Sequence, residues 1–222
     1  MLPRVIVHNA VSADGRIDWF MPDVGLFYEL AGRWREDCTL SGSDTLLMAE
    51  EEIVPEGDDA FNPPAIAEDD PRAILAVPDS RGRIRTWHHW LQLPYWKGAV
   101  VLVSRSTPKE YLEYLNRRHI DAIVAGDDHV DYRAALEELN DRYDVKVVRV
   151  DSGGTLNGHL LRAGLVDEVS LLIHPALVGG VSPRSAFRAP DLAGADGVTP
   201  LKLMSAEEVR DGILWLRYEV VR

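Results

Sequence analysis

Residues 150–180, VDSGGTLNGHLLRAGLVDEVSLLIHPALVGG, place two glycines between a strand-like run and a helix-like run. The helical pattern covers 155–162 and Gly164 ends it, after which an apolar run to His174 has the composition of a buried strand. This strand–helix–strand order predicts parallel strands joined by a helical crossover.

The same alternation of strands and helices runs through most of the chain. The clearest buried strand is AVVLVS (99–104), and the late run GILWLRYEVV (212–221) alternates like an antiparallel strand. We therefore predict an α/β fold with a mostly parallel twisted sheet, flanking helices and antiparallel C-terminal strands. The pattern indicates one domain over 1–222, in which the acidic, proline-rich residues 51–72 form an exposed insertion.

Composition excludes several classes of function. The net charge of −12 argues against binding to nucleic acid phosphates and against a polybasic membrane patch. A single cysteine, Cys38, rules out a disulfide framework and a cysteine-rich zinc site. Adjacent His88 and His89 point apart and lack a third ligand, so we predict packing and no metal. No apolar run is long enough for a membrane span, and a cytoplasmic protein is expected.

The glycine pair has two interpretations. Gly153 and Gly154 open a helix, where unpaired N–H groups and the helix dipole favour an anion, and glycine lets a phosphate lie against the backbone. A tight turn is the alternative and is commoner for an isolated pair. The spacing does not match the dinucleotide fingerprint G-x-G-x-x-G.

Two further strand ends carry anion-binding groups. Gly42 precedes a helix that contains Thr45, and the strand 99–104 ends in Ser104 followed by Arg105. An arginine fork suits bidentate phosphate binding, although a surface arginine is the commoner case. Together with the glycine pair, these groups predict a ligand cleft at the carboxyl ends of the strands.

The order of motifs resembles the pyrimidine reductases of riboflavin biosynthesis, which have a dihydrofolate-reductase-like fold. The motifs are NAVSADGRI (9–17), LSGSDTLL (40–47), VVLVSR (100–105), DAIVAG (121–126) and the stretch 150–180. The similarity covers roughly residues 3–50 and 99–181 and is greatest to the stand-alone archaeal-type members.

This resemblance implies an NADPH-dependent homodimer. The enzyme would reduce 2,5-diamino-6-ribosylamino-4(3H)-pyrimidinone 5′-phosphate to its ribitylamino product by hydride transfer to ribose C1′. It also implies the cofactor contacts: Gly153, Gly154, Thr155 and Leu156 at the pyrophosphate, Thr45 with Gly42 at the adenosine half, Ser104 and Arg105 at the 2′-phosphate, and Gly126.

The implied substrate contacts lie mainly after the first strand. They are Asn9, Ser12, Arg16, Ser152 and Arg184, with the two arginines assigned to the substrate phosphate on charge alone. Ser152 stands where bacterial relatives commonly carry glutamate. Asp14 has two open interpretations: catalytic proton traffic or substrate orientation, and a simple Asp-Gly turn. With one cysteine the zinc deaminase found fused to bacterial members is not expected.

Two other functions stay open at this point. One is an NADPH-dependent reductase of the same fold that acts on another small carbonyl, imine or pterin. The other is a nucleotide-binding protein of this fold without turnover.

Overall fold

The structure, a computed structural model, describes residues 1–48, 53, 55–62, 65–67, 69–181 and 184–222. Its strands and helices are, in chain order, β1 (Arg4–Ser12), α1 (Val24–Ala31), β2 (Cys38–Leu40), α2 (Ser43–Leu47), β3 (Ala73–Pro78), α3 (Trp87–Gln92), β4 (Trp96–Val103), α4 (Lys109–Arg117), β5 (Asp121–Val124), α5 (Tyr132–Tyr143), β6 (Val147–Val150), α6 (Gly154–Arg162), β7 (Glu168–His174), β8 (Leu201–Arg210) and β9 (Ile213–Val220).

The chain divides into two compact units. The middle unit consists of Met1–Pro3 and Glu36–Lys146, and the split unit consists of Arg4–Arg35 and Val147–Arg222. The predicted fold class is confirmed: strands alternate with helices, most strand pairs are parallel, and the C-terminal strands are antiparallel.

The middle unit contains the parallel strands β5, β4, β3 and β2 in that order. The last four residues of β4 are all buried, which explains its uninterrupted apolar sequence. Helices α3 and α4 pack into the same core, where the Trp87 indole donates to the Tyr111 hydroxyl at 3.0 Å. This hydrogen bond satisfies the polar end of a fully buried tryptophan.

The split unit has the strand order β6, β1, β7, β9 and β8. β1 lies between two parallel neighbours, with Val7 opposite Val150 on β6 and Val169 on β7. β9 pairs antiparallel with both β7 and β8. Helix α1 packs Leu26 and Leu30 into the core cluster that contains Trp215. At the carboxyl end of β1, the Ala13 N–H donates to the Ala176 carbonyl at 2.8 Å, so the loop after β1 begins beside the end of β7.

The structure adds detail to two expectations from the sequence and contains one strand that the sequence analysis did not identify. The sequence SDTLLMAEEE (43–52) predicts a helix, which the structure describes over Ser43–Leu47; residues 49–52 lie outside the described ranges. Within 51–72, several residues also lie outside them, but Ala60 is buried and Glu56 accepts hydrogen bonds from Tyr114 and Arg118. Most described residues of 51–72 are exposed, as expected, and the segment packs against the rest of the middle unit at Glu56 and Ala60. β8 was not predicted.

Among the described helices, none combines the length and apolar character that crossing a bilayer requires. Likewise, the described residues hold no cluster of three His, Cys, Asp or Glu side chains suited to a metal ion. His88 is buried, with Nδ1 3.4 Å from Glu56 Oε1.

Candidate active site

The glycine bend at the start of α6 is the first element of the site. Gly153 is extended (φ −76°, ψ 172°), and no side chain caps α6 among the described residues. The first N–H groups of a helix lack intrahelical acceptors, so those of Gly154, Thr155 and Leu156 suit an anion. A Cβ built on Gly153 would meet only Ile17 Cδ1, at 3.7 Å. The bend therefore has room on the Gly153 side.

Gly154 needs its missing side chain for a different reason from the one expected. A Cβ on Gly154 would lie 2.0 Å from the Ser185 carbonyl oxygen, and one on Gly158 would lie 2.0 Å from the Arg188 carbonyl oxygen. The Arg188 N–H also donates to the Gly154 carbonyl at 2.8 Å. The expectation that both glycines of the pair leave space for a phosphate is thus wrong for Gly154, where the chain itself fills the space.

Asp14 connects two loops. Its carboxylate accepts from the Ser12 hydroxyl at 2.6 Å and from the N–H groups of Val178 and Gly179 at 3.1 and 2.7 Å. These hydrogen bonds, chiefly the one from Ser12, lower the pKa of Asp14 to about 2. The predicted turn is also present, because the Gly15 N–H donates to the Ser12 carbonyl at 2.9 Å and Gly15 has φ +77°. With its pKa lowered in this way, Asp14 is ionised near neutral pH.

Arg16 and Arg184, both predicted phosphate ligands, belong to neighbouring backbone segments. Arg16 forms an antiparallel bridge with Ser185, and the Ile17 N–H donates to the Arg184 carbonyl at 3.3 Å. The Arg16 guanidinium donates to the Gly180 carbonyl at 2.7 Å. Arg184 Nε lies 3.9 Å from Asp18 Oδ2, and its side chain is 55% exposed. The structure brings these two cations to one edge of the split unit.

Asn9 and Ser152 are part of a buried amide network. Asn9 donates to the Ser152 carbonyl at 2.9 Å, and its own carbonyl accepts from Asn157 at 2.7 Å. Asn157 also donates to the Ala186 carbonyl at 2.8 Å. Sequence reasoning missed Asn157, although an asparagine inside the α6 apolar pattern was the available signal. The network ties the 185–188 segment to α6, so the side chain of Asn9 is engaged within the protein.

In the middle unit, Ser104 and Arg105 lie beside Gly126. The Arg105 N–H donates to the Gly126 carbonyl at 3.0 Å, and Gly126 has φ +86°. The Ser104 hydroxyl is buried and contacts Ser106 Oγ at 3.0 Å. The Arg105 side chain is 75% exposed and pairs with the exposed Asp127. Arg105 is therefore accessible to a phosphate, but a carboxylate competes for it.

Gly42 and Thr45 lie at the start of α2, where the Thr45 N–H donates to the Gly42 carbonyl at 3.0 Å. Arg83 contacts the same turn: it donates to Ser43 Oγ at 2.6 Å and pairs with Asp44 at 2.7 Å. Sequence reasoning did not single out Arg83. The signal was the basic run RGRIR (81–85) directly after the turn that follows β3.

The split unit contains a pocket of about 360 Å³. Three segments line it: the residues just before α1, the end of β7 with the two residues after it, and the turn into β9. The lining residues are Phe20, Met21, Pro22, Asp23, His174, Pro175, Ala176, Asp211 and Ile213. His174 Nε2 accepts from the Asp23 N–H at 3.0 Å, while Nδ1 lies 3.2 Å from the Leu172 carbonyl. Both ring nitrogens are thus used internally, as expected for a buried structural histidine.

Comparison with known proteins gives this geometry a context. A curated relative from Methanothermobacter thermautotrophicus, named 2,5-diamino-6-ribosylamino-4(3H)-pyrimidinone 5′-phosphate reductase, is 31% identical over 193 residues, which cover 83% of each chain. A relative with the same name from Aquifex aeolicus is 33% identical over 104 residues, which cover 47% of this chain and 43% of that protein. The chain thus aligns with less than half of the Aquifex relative's length.

A solved structure shows the same fold. The pyrimidine reductase-like protein from Corynebacterium diphtheriae superposes with a TM-score of 0.76 at 18% identity, over 99% of this chain and 92% of that one. A sequence model of the RibD C-terminal domain matches residues 3–215, which is nearly the whole chain. The protein therefore belongs to the RibD C-terminal domain family.

Proposed function

We propose that this protein reduces 2,5-diamino-6-ribosylamino-4(3H)-pyrimidinone 5′-phosphate to the ribitylamino product, a reaction of riboflavin biosynthesis. The observation that carries the proposal is the 31% identity to the reductase of this name across 83% of both chains. The uncapped start of α6 beside the two arginines of the split unit supports it, because dinucleotide and substrate both carry phosphate.

The reaction needs no protein nucleophile. A nicotinamide cofactor, which a reductase of this family requires, supplies the hydride to C1′ of the opened ribosylamine, and a proton completes the amine. The chain binds the reactants, orients them and keeps water away. Asp14 contributes to orientation through the loop Val178–Gly180, since its carboxylate is ionised and hydrogen-bonded there.

We assign the cofactor as NADPH, and we assign residues in each unit to it. In the split unit, the Gly153 bend with the first-turn N–H groups of Gly154, Thr155 and Leu156 suits the pyrophosphate. In the middle unit, the exposed guanidinium of Arg105 suits the 2′-phosphate. Three further residues of that unit are assigned to the adenosine half: Gly42, Thr45 and Gly126. We assign Ser104 to the same phosphate as Arg105; its buried hydroxyl also contacts Ser106 Oγ at 3.0 Å.

For the substrate, we assign the phosphate to Arg16 and Arg184, whose backbones are adjacent. Asn9, Ser12 and Ser152 support this end of the site from within the protein, because the side chains of Asn9 and Ser12 already have internal partners. Ser12 Oγ, for example, accepts from the Arg16 N–H at 3.0 Å. These residues act through the loops that they hold.

We further propose that the protein is cytoplasmic, because phosphorylated substrates do not cross membranes. We also propose that it forms a homodimer. Large apolar side chains stay exposed on the β8–β9 hairpin, including Leu201, Leu203, Met204 and Leu214. Exposed apolar patches of this kind favour association. The molar mass in solution, measured by light scattering, tests the dimer; a mass near 24.8 kDa contradicts it.

The function is tested with purified protein, NADPH and the ribosylamino substrate. We expect saturable oxidation of NADPH and formation of the ribitylamino product, identified by mass spectrometry. Oxidation with other carbonyl, imine or pterin compounds but not with this substrate contradicts the substrate assignment. If NADPH stabilises the protein against heat but none of these compounds leads to NADPH oxidation, the protein binds the nucleotide without turnover.

A further inference from the structure

Asp18 carries a buried carboxylate without a hydrogen-bond donor. Its side chain is 10% exposed, and within the described residues neither carboxylate oxygen has a hydrogen-bond partner. The nearest cation, Arg184 Nε, lies 3.9 Å from Oδ2, beyond hydrogen-bond distance. Asp14, four residues earlier, accepts three hydrogen bonds from its own chain. Of the two carboxylates in this loop, Asp14 is therefore fully hydrogen-bonded within the protein, whereas Asp18 accepts no hydrogen bond from the described residues.

A buried charge without donors is unfavourable, and folded proteins rarely retain one without a use. The described residues provide no hydrogen-bond donor to Asp18, although it lies next to two elements of the proposed site, the Gly153 bend and Arg184. Ile17, the preceding residue, reaches the Gly153 bend with its Cδ1, and Arg184 lies on the other side of the carboxylate. The position points to a ligand that brings its own donors.

We propose that the Asp18 carboxylate binds the hydroxyl groups of the substrate's ribosylamino chain. This inference rests on the proposed function. In that function the substrate phosphate lies at the arginine end and the cofactor pyrophosphate lies at the Gly153 end, so C1′, which receives the hydride, is the end of the substrate directed towards the cofactor. The ribosyl chain joins these two ends, and its hydroxyl groups are the donors that a carboxylate between them meets. Hydrogen bonds to an ionised acceptor are the strong ones.

The test compares Asp18→Asn with wild type, and Asp191→Asn, an exposed acid of the same unit, is the matched control. Three quantities are measured: the Tm of the ligand-free protein, the Kd for NADPH and the KM for the ribosylamino substrate. We expect Asp18→Asn to raise KM roughly tenfold to a hundredfold, the loss expected for a hydrogen bond to a charged group. The Kd for NADPH stays within about twofold, because the contact that this substitution removes is made to the substrate and not to the cofactor.

The Tm separates a ligand contact from a structural one. Removing a buried charge that accepts no hydrogen bond leaves the Tm unchanged or raises it by about 2–4 °C. If Asp18 instead serves as a structural partner of Arg184, its amide variant lowers the Tm. A lower Tm, or a KM within about twofold of wild type, overturns the proposal.

Thermal stabilisation by the substrate alone keeps this inference separate from the proposed function. A wild type that the substrate stabilises without turnover, together with an Asp18→Asn variant that it does not stabilise, retains the Asp18 contact and rejects the reaction. Normal turnover with unchanged KM in the variant rejects Asp18 and retains the reaction. A wild type that the substrate neither stabilises nor reacts with overturns both.

Discussion

The carbonyl oxygen of Ser185 lies where a side chain on Gly154 would have to be, 2.0 Å from the ideal Cβ position. Because backbone cannot yield as a flexible side chain does, Gly154→Ala should displace the 185–188 segment. We expect it to lower the free energy of unfolding by about 1–3 kcal/mol, as overpacking does. Urea denaturation measures this, and an unchanged midpoint contradicts the close approach.

Gly153→Ala is the matched substitution one residue earlier. Its backbone conformation is open to alanine, and the nearest atom to the new methyl group is Ile17 Cδ1 at 3.7 Å. We expect a stability change below about 1 kcal/mol, since alanine is only a poorer N-cap. If the pyrophosphate lies at this bend, the affinity for NADPH falls roughly tenfold, equivalent to one lost contact. Calorimetric titration decides; equal affinity removes the pyrophosphate from Gly153.

Arg105 and Asp127 should affect cofactor choice in opposite directions. Arg105→Ala is expected to weaken NADPH binding about tenfold or more and to leave NADH nearly unchanged, because only NADPH carries the 2′-phosphate. Asp127→Asn removes the competing carboxylate and should tighten NADPH binding by about twofold to fivefold, the scale of an exposed ion pair. Arg117→Ala, an exposed arginine at the end of α4, is the control. Equal losses for both cofactors in Arg105→Ala exclude the 2′-phosphate contact.

His8 should make the stability depend on pH. Burial lowers the pKa of His8 to about 3. Its Nε2–H donates to the Phe27 carbonyl at 3.1 Å, and Nδ1 accepts from Ser170 Oγ at 2.9 Å, which in turn accepts from the Trp215 indole. The unfolded chain protonates this residue first, so stability falls as pH drops from 6.5 towards 3.

This loss amounts to about 2 kcal/mol between about pH 7 and about pH 5, because it follows roughly 1.4 kcal/mol per pH unit below the unfolded pKa. His8→Gln lacks the titrating group and should show a flatter dependence over the same range, whatever its absolute stability. Denaturant unfolding at a series of pH values provides the comparison. Parallel curves for wild type and variant mean that His8 does not carry the effect.

Asp14 should hold the loop Val178–Gly180 without donating a proton. In Asp14→Asn we expect faster hydrogen exchange at the Val178 and Gly179 amides and a higher KM, with the shape of the pH–rate profile retained. Because the folded pKa is lowered to about 2, the carboxylate stabilises the protein above its unfolded pKa and this contribution disappears as pH falls through 2. Loss of one limb of the pH–rate profile in the variant would return Asp14 to proton transfer.

The local sequence predicted the parallel strands because their burial on both faces leaves an uninterrupted apolar run, as in β4. β8 escaped notice because its sequence, LKLMSAEEVR, is largely exposed and does not alternate. Its signal was the turn that follows it: Asp211 and Gly212 both have positive φ and join paired Arg210 and Ile213, the geometry of a two-residue hairpin.

Contacts distant in sequence explain the remaining differences. Thr107 begins a Thr-x-x-Glu pattern that predicts a helix cap, but its hydroxyl donates to the Ser80 carbonyl at 2.9 Å and accepts from the Ser104 N–H at 3.0 Å. The requirement for glycine at 154 depends on Ser185, and the isolation of Asp18 depends on which donors the fold leaves out. Sequence patterns identify residue types near a site, whereas only the folded chain shows which of their atoms are already bonded.

The discontinuity of the split unit has a consequence for biogenesis. β1 ends at Ser12, yet both of its hydrogen-bonded neighbours, β6 and β7, begin at Val147 or later. During translation the apolar side chains of β1 therefore stay without their partner strands for on the order of ten seconds, until β6 and β7 have left the ribosome. A nascent chain of this protein should therefore depend on holding chaperones more than a protein whose first strand pairs with the next one synthesised.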